Sequence, residues 1–347
     1  MIKGKGAQTN PNNPFLKNKS TYEHDEGIDV YDETPKRQIQ VFYESPKNVL
    51  SRNNSEDIGF EYSINPYQGC EHGCIYCYAR NSHTYWGFSA GLDFESKIIA
   101  KPDVANKFEE RILSKNWKVQ PIMLSGNTDC YQPLEAKMKL TRQILQVALK
   151  YRHPVSVLTK NSLIARDMDL IEELASLSLI HVCFSITSID EKLRLKLEPR
   201  TASYAKKLQI IEEFSKASIP VAVMNAPIIP SLNDHHIPDV VRATAEAGAL
   251  NIHYTVVRLN GQIAEIFKDW IEEAYPDRAD KVLHQINEMH GGKLNDSKWG
   301  QRMRGKGTYS IMINELFHKM KHKYYQDRKM PPLDLSSFRR GGNYSLF

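Results

Sequence analysis

No apolar run in the 347-residue chain approaches the roughly 18 residues that cross a bilayer. The opening "MIKGKGAQTNPNNPFLKNKS" also lacks the apolar core of a secretory signal. These two absences set aside membrane and secreted proteins and place the expectation in the cytoplasm. No internal repeat or long low-complexity run is present either. Cysteine is scarce: there are five, and an odd number in a reducing compartment reads as metal ligation or chemistry before it reads as a disulfide framework. The net charge of +5 is compatible with a polyanionic partner but selects none. What the chain does have, 41% hydrophobic and 25% charged residues, suffices for one large globular domain with appendages.

The organised part lies between two polar ends. Residues 1–55 are rich in Asn, Lys, Pro and acids without periodicity, and read as an arm wrapped on the body or partly disordered. From "GFEYSIN" onward, short apolar runs recur at Pro121–Ser125, Val155–Thr159, Ile180–Thr187, Pro220–Ala226 and Ile252–Val257. Between them, Leu134–Tyr151, Leu163–Ser176, Tyr204–Ser218 and Ile237–Gly248 carry apolar residues at helical spacing. About six strand–helix alternations imply parallel strands with covering helices, as an open doubly wound sheet or as a barrel over 56–260. Residues 261–326 read as a helical extension interrupted by the basic "GGKLNDSKWGQRMRGKGTYS", and 327–347 as a tail.

Polar residues gather at the ends of these runs: "SGNTD" at 125–129, "TK" at 159–160, "SITS" at 185–188, "NAP" at 225–227, and Arg258. In a parallel barrel the carboxyl ends of the strands form the active face, whereas an open sheet concentrates its contacts at one switch point. Six contributing strand ends favour the barrel. After the first run comes "NPYQGCEHGCIYCYAR", which holds Cys70, Cys74 and Cys77. Three soft thiolates in a short loop suit iron–sulfur or zinc. A structural zinc site prefers a complete tetrahedral set in two separated pairs; His72 or His83 could complete a Cys3His site, and that alternative stands beside a four-iron cluster with one open iron.

The C-x3-C-x2-C motif with Tyr76 before its last cysteine resembles the hallmark of the radical S-adenosylmethionine (SAM) superfamily. Further along, "FSITS", "LEPRTASYAKKL" and "VMNAPI" resemble, in order, stretches of the spore photoproduct lyase-like group of DNA repair enzymes, over about residues 55–260. The resemblance implies an α/β fold, a partial (β/α)6 TIM-like barrel with an N-terminal arm and a helical C-terminal extension. It implies a [4Fe-4S] cluster on Cys70, Cys74 and Cys77, with S-adenosylmethionine chelated at the open iron. Tyr76 would lie near the adenine, and Ser125, Gly126 and Asn127 would receive the cofactor's amino group, although the common Gly-Gly-Glu form is missing. Asp129 would hydrogen-bond an ammonium or a ribose hydroxyl. Lys160 would pair with the carboxylate, Ser185 with the ribose, and the backbone at Ala226 with the adenine edge. An external electron donor such as flavodoxin or ferredoxin would reduce the cluster, and the 5′-deoxyadenosyl radical would abstract hydrogen from a macromolecule, DNA first, with RNA or protein as the alternative.

Two further readings concern substrate choice. In the spore enzymes a cysteine three positions before the Asp of the second strand end returns hydrogen to the product; here that position is Gly126, and Cys130 is the candidate donor in its place, against a plain core cysteine. Cys183 reads as core. Arg302, Arg304 and Lys306 with Trp299 suit phosphates and a stacked base, or else simply cap the barrel's open side. The terminal "NYSLF", with Leu346 and Phe347, resembles peptides that dock on the bacterial sliding clamp, or plugs the barrel. A non-catalytic iron–sulfur or zinc scaffold is the alternative class of function; it would not need Asp129, Lys160 and Ser185 around the thiols.

Overall fold

A computed structural model describes residues 2–16 and 39–341. Ten strands occur among them: β1 Gln40–Tyr43, β2 Leu50–Arg52, β3 Tyr62–Ile64, β4 Tyr67–Gln68, β5 Lys97–Ala100, β6 Ile122–Leu124, β7 Val155–Thr159, β8 Ile180–Ser185, β9 Val221–Ile228 and β10 Asn251–Val256. The main sheet runs β10-β9-β8-β7-β6-β3-β2, and six of its strands are parallel; only β2 is antiparallel, paired with β3. A small sheet of β1, β5 and β4 lies beside it. The chain is a partial (β/α)6 barrel, as the alternation of runs and helices leads one to expect.

The strands alternate rather than reading as unbroken apolar runs. Val155, Val157, Ile180, Val182, Val221 and Val223 are almost fully buried against the covering helices, while Ser156, Leu158, Cys183 and Met224 are half-buried on the other face. The helices Val104–Leu113, Leu140–Tyr151, Met168–Ser176, Tyr204–Lys216 and Ile237–Glu246 supply Phe108, Ile144, Leu174, Phe214 and Val241 to that common core. Two expected helices are interrupted. Leu134–Tyr151 divides at Lys139, whose φ of 53° is left-handed, and the segment before Met168 is a 3-10 turn, Ser162–Asp167, begun by Asn161 accepting from Leu163 N–H. Buried Glu135 and Asp167 sit at these breaks, engaged by Arg166.

One device returns each helix to the next strand. Arg152, Ser178, Ser218 and Gly248 all have positive φ, and the residue after each donates its N–H to a carbonyl five residues back: His153 to Ala148, Leu179 to Leu174, Ile219 to Phe214, Ala249 to Thr244. This left-handed cap satisfies the last helical carbonyls and aims the chain into the sheet. At Gly248 a Cβ would lie 2.2 Å from Ser215 Oγ, so glycine is needed there.

The C-terminal extension closes two openings. Helix Thr308–Tyr325 packs on Ile237–Glu246 through Ile313, Phe317 and the Tyr325–Thr244 hydroxyl pair at 2.8 Å. The basic loop before it bridges the unpaired side of the barrel: Val256 N–H donates to Met303 O at 2.9 Å, while Arg302 Nε and Gly300 N–H donate to Asp57 at 2.6 and 2.7 Å. The tail then crosses the amino ends of the strands, with Arg328 donating to Ala245 and Ala249 carbonyls, Asp334 N–H to Ser178, and Arg339 N–H to Tyr151. No helix among the described residues is long and apolar enough to cross a membrane.

Candidate active site

The thiol loop, 69–77, follows β4 and turns at Gly69 and Gly73, both with positive φ. A Cβ at Gly73 would stand 2.9 Å from Glu95 Oε2, so the loop's path depends on glycine. Three groups hold it. Gln132 accepts from Glu71 N–H at 3.0 Å and donates to Gly69 O at 3.1 Å. Fully buried Arg80 donates to the Cys74, Ala90 and Gly91 carbonyls and pairs with Glu95. Glu95 in turn accepts from Gly6 and Ala7 N–H, so the first residues of the arm lie against the loop.

Cys70 and Cys74 are buried and Cys77 is half-buried. Burial pushes the Cys77 thiol up to about 11, aided by Cys70, and raises Cys74 well above the ordinary thiol range, with Glu198, Cys77 and Cys70 adding to it. Thiolates buried this way need a bound cation to persist. Among the described residues no three His, Cys, Asp or Glu side chains gather around the position of one metal ion. Three soft thiols carried on one short loop are a donor set that fits an iron–sulfur group.

The turn "LEPRT" clamps this loop from the other side. Ile75 N–H donates to Leu197 O, Arg200 N–H to His72 O, and Arg200 pairs with Glu71 at 2.9 Å. It also delivers Glu198, 1% exposed, which accepts from the Tyr76 phenol and the Thr187 hydroxyl and lies 3.5 Å from Lys160 and 3.7 Å from Lys207. Burial alone would raise the Glu198 carboxyl, but Lys160 and Lys207 bring it down to about 2. Burial works against the Lys160 ammonium too, yet Glu198, Cys74 and Asp129 outweigh it and raise its pKa. Lys160 Nζ donates to Ser185 Oγ, Ser185 Oγ donates to Ala226 O at 3.3 Å, and Thr187 Oγ1 lies 3.1 Å from the same carbonyl oxygen. The side chains of β7, β8 and β9 strand ends thus form one network around Tyr76. Two lysines share one carboxylate, and Lys160 is the more accessible of them, 17% against 2% exposed. Lys160 is thus the cation of this network open to a ligand carboxylate.

At the end of β6 the roles are more structural. Ser125 has a φ of 72° and accepts from Cys130 N–H at 2.8 Å. Asn127 donates to Gln68 and Ser82, and Gly126 O accepts from the Tyr78 phenol at 2.8 Å. Asp129, expected to meet the cofactor, already accepts from Tyr131 N–H, Thr159 Oγ1 and Lys160 N–H and lies 3.3 Å from His72 Nδ1. Those four partners fill a carboxylate's acceptor positions, so it ties β6, β7 and the thiol loop together. A Cβ on Gly126 would lie 2.4 Å from Ser63 Cβ, which leaves no room for a cysteine.

The remaining expectations separate. Cys130 is fully buried: its thiol touches the Ser125 and Thr141 hydroxyls, and burial raises its pKa well above the ordinary range. Arg302 is engaged by Asp57 in the seam, whereas Arg304, Lys306 and Trp299 are exposed. Leu346 and Phe347 lie outside the described residues. Glu198, Lys207, Arg80 and Gln132 were not foreseen. The available signals were "LEPRTASYAKKL", in which Glu198 and Lys207 stand, and "NPYQGCEHGCIYCYAR", which ends in Arg80.

Comparison with known proteins agrees with this geometry. The family profile described as the Radical SAM superfamily matches residues 64–244. Uncharacterized proteins of Mycobacterium tuberculosis and Methanocaldococcus jannaschii are each 31% identical, over 65% and 63% of this chain; the chain spans just under two thirds of the first, 66%, and 78% of the second. Among solved structures, a spore photoproduct lyase mutant aligns with a TM-score of 0.59 at 16% identity, covering 82% of this chain and 79% of that one. Spore photoproduct lyase complexed with dinucleoside spore photoproduct aligns over the same shares with a TM-score of 0.58 and 16% identity, which shows a common fold. With its three-thiol loop on a partial barrel and half its length matched, the chain belongs to the radical SAM superfamily.

Proposed function

We propose that the protein is a radical SAM enzyme acting on a nucleic acid, in the first place a lesion in DNA. Cys70, Cys74 and Cys77 would hold a [4Fe-4S] cluster and the space beside Tyr76, Lys160 and Ser185 would hold S-adenosylmethionine, whose one-electron cleavage supplies a 5′-deoxyadenosyl radical for hydrogen abstraction. The observation that carries the reading is the Lys160–Glu198–Tyr76–Ser185 network set directly against the thiol loop. Glu198 keeps Lys160 charged, and Lys160 offers its ammonium to the cofactor carboxylate. The Ser185 hydroxyl and the Ala226 backbone, joined by a hydrogen bond at 3.3 Å, would serve the ribose and the adenine. Arg80, Gln132 and Arg200 hold the loop rigid, so little rearrangement accompanies loading. An external donor such as flavodoxin or ferredoxin would deliver the electron.

A DNA lesion as substrate is supported by the shared fold with a protein solved in complex with dinucleoside spore photoproduct. Gly126 sets this chain apart from the spore enzymes, since Ser63 fills the space a returning cysteine thiol would need. The test is anaerobic reconstitution followed by incubation with S-adenosylmethionine, a reductant and lesion-bearing oligonucleotides. Lesion-dependent product supports the reading; 5′-deoxyadenosine without turnover of these oligonucleotides redirects it to RNA or protein.

A further inference from the structure

We infer that the end of β10 carries an oxyanion subsite centred on the Arg258 guanidinium, which takes a phosphodiester of the substrate strand; this rests on the nucleic-acid reading above. Arg258 is half-buried and follows β10 at the carboxyl face. Its place is well defined: Val257 N–H donates to Ile228 O, Leu259 N–H to Leu294 O, and Asn81 ties the turn after it by accepting from Gln262 N–H and donating to Asn260 O. Asn81 belongs to the helical turn that begins at Tyr78, so Arg258 and the Tyr78 phenol are held as neighbours beside the thiol loop.

Other inward arginines have carboxylates: Arg142 has Asp167 and Asp169, Arg166 has Glu135, Arg200 has Glu71. Arg258 has no hydrogen-bond or ion-pair partner among the described residues. The charges that act on it are Arg302 and Asp57, and Asp57 is held by Gly300 N–H and Arg302 Nε and accepts no hydrogen bond from Arg258. Two guanidinium groups and one carboxylate leave a surplus of one positive charge. A half-buried guanidinium that meets no protein acceptor among the described residues gains from one that arrives, and planar bidentate pairing with a phosphate supplies it. The surroundings select a polyanion bearing bases over a small carboxylate. The seam loop that carries Arg302 also exposes Trp299 for stacking and Arg304 and Lys306 for neighbouring phosphates.

The experiment uses anaerobically reconstituted full-length protein with two probes. A fluorescent single-stranded oligodeoxynucleotide is titrated at several salt concentrations against the unaltered protein, Arg258→Gln and Arg258→Lys, and Arg258 modification by phenylglyoxal is followed by mass spectrometry with and without inorganic phosphate. Matched iron content and melting temperature certify the variants. The expected result is phosphate protection of Arg258, at least tenfold weaker binding by Arg258→Gln with a salt slope shallower by about one, and recovery of the slope in Arg258→Lys. Equal affinity and slope in all three proteins overturns the subsite. Phosphate protection with no oligonucleotide binding by the unaltered protein upholds the oxyanion subsite and removes nucleic acid as its source. Neither protection nor binding overturns both.

Discussion

Lys160 Nζ lies 3.5 Å from Glu198 Oε1 and 5.7 Å from the centre of the Tyr76 ring, one residue before the last thiol of the loop. This relation joins the end of β7 to the thiol loop through a turn, residues 198–201, that is distant from both in sequence. Removing Lys160 takes away the exposed cation of the network but leaves Glu198 paired with Lys207. Lys160→Ala is therefore expected to fold, and to weaken S-adenosylmethionine binding by about 1.5 to 3 kcal/mol, the range for a hydrogen bond to a charged group. Equilibrium dialysis on cluster-loaded protein measures it, and an unchanged dissociation constant would show that Lys160 makes no cofactor contact.

Glu198→Gln should behave differently, because it strands buried Lys207 as well as Lys160. Breaking a buried pair from one side costs about 3 to 5 kcal/mol, so urea unfolding should show a loss of that order. The pH dependence has a definite sign. The Glu198 carboxyl is depressed from 4.5 to about 2, so its contribution is present above pH 4.5 and is lost as pH falls toward 2. Acid unfolding of the unaltered protein should contain this component, and that of Glu198→Gln should lack it. Matching acid profiles would remove the pair from the account.

Gly126→Cys would restore the residue of the spore enzymes at this position. Its Cβ would meet Ser63 Cβ at 2.4 Å, a contact a side-chain rotation cannot relieve. Overpacking of this kind costs about 1 to 3 kcal/mol, and Ser63→Gly in the same chain should recover most of it. A double-mutant cycle by thermal unfolding checks the coupling; a stable single variant with no coupling to Ser63 contradicts the contact.

Cys130→Ala tests the candidate hydrogen donor of the sequence reading. The thiol sits wholly in the core, so the substitution should lower stability by about 1 to 2 kcal/mol while leaving hydrogen return unchanged in deuterium-incorporation measurements. A shift in deuterium incorporation with stability intact would reinstate Cys130 as the donor.

Five apolar runs, with the "GFEYSIN" stretch before them, were legible as six parallel strands because each has one face against helices, which forces the pattern on the residues. Strand-end polar residues were legible for a related reason: Lys160, Ser185 and Ala226 follow runs whose direction the parallel order dictates. What escaped reading depends on tertiary closure. Arg80 and Glu95 form a buried pair, yet at the level of sequence each is an ordinary charged residue. Arg302 reads equally well as a phosphate ligand or a seam contact until Asp57, 245 positions away, is placed beside it. Asp129 has the chemistry of a cofactor contact, and only the count of its four partners shows that its acceptors are taken. Helix breaks at Lys139 and before Met168 follow from buried Glu135 and Asp167, whose partners no local pattern announces.

The most direct test of the account is the metal and cofactor chemistry of the three-thiol loop. Anaerobically reconstituted protein should contain about four irons and four sulfides per chain and, with S-adenosylmethionine and a reductant, release 5′-deoxyadenosine; Cys70→Ala, Cys74→Ala and Cys77→Ala should each abolish both. Stoichiometric zinc in place of iron, or a full cluster that yields no 5′-deoxyadenosine, would contradict it.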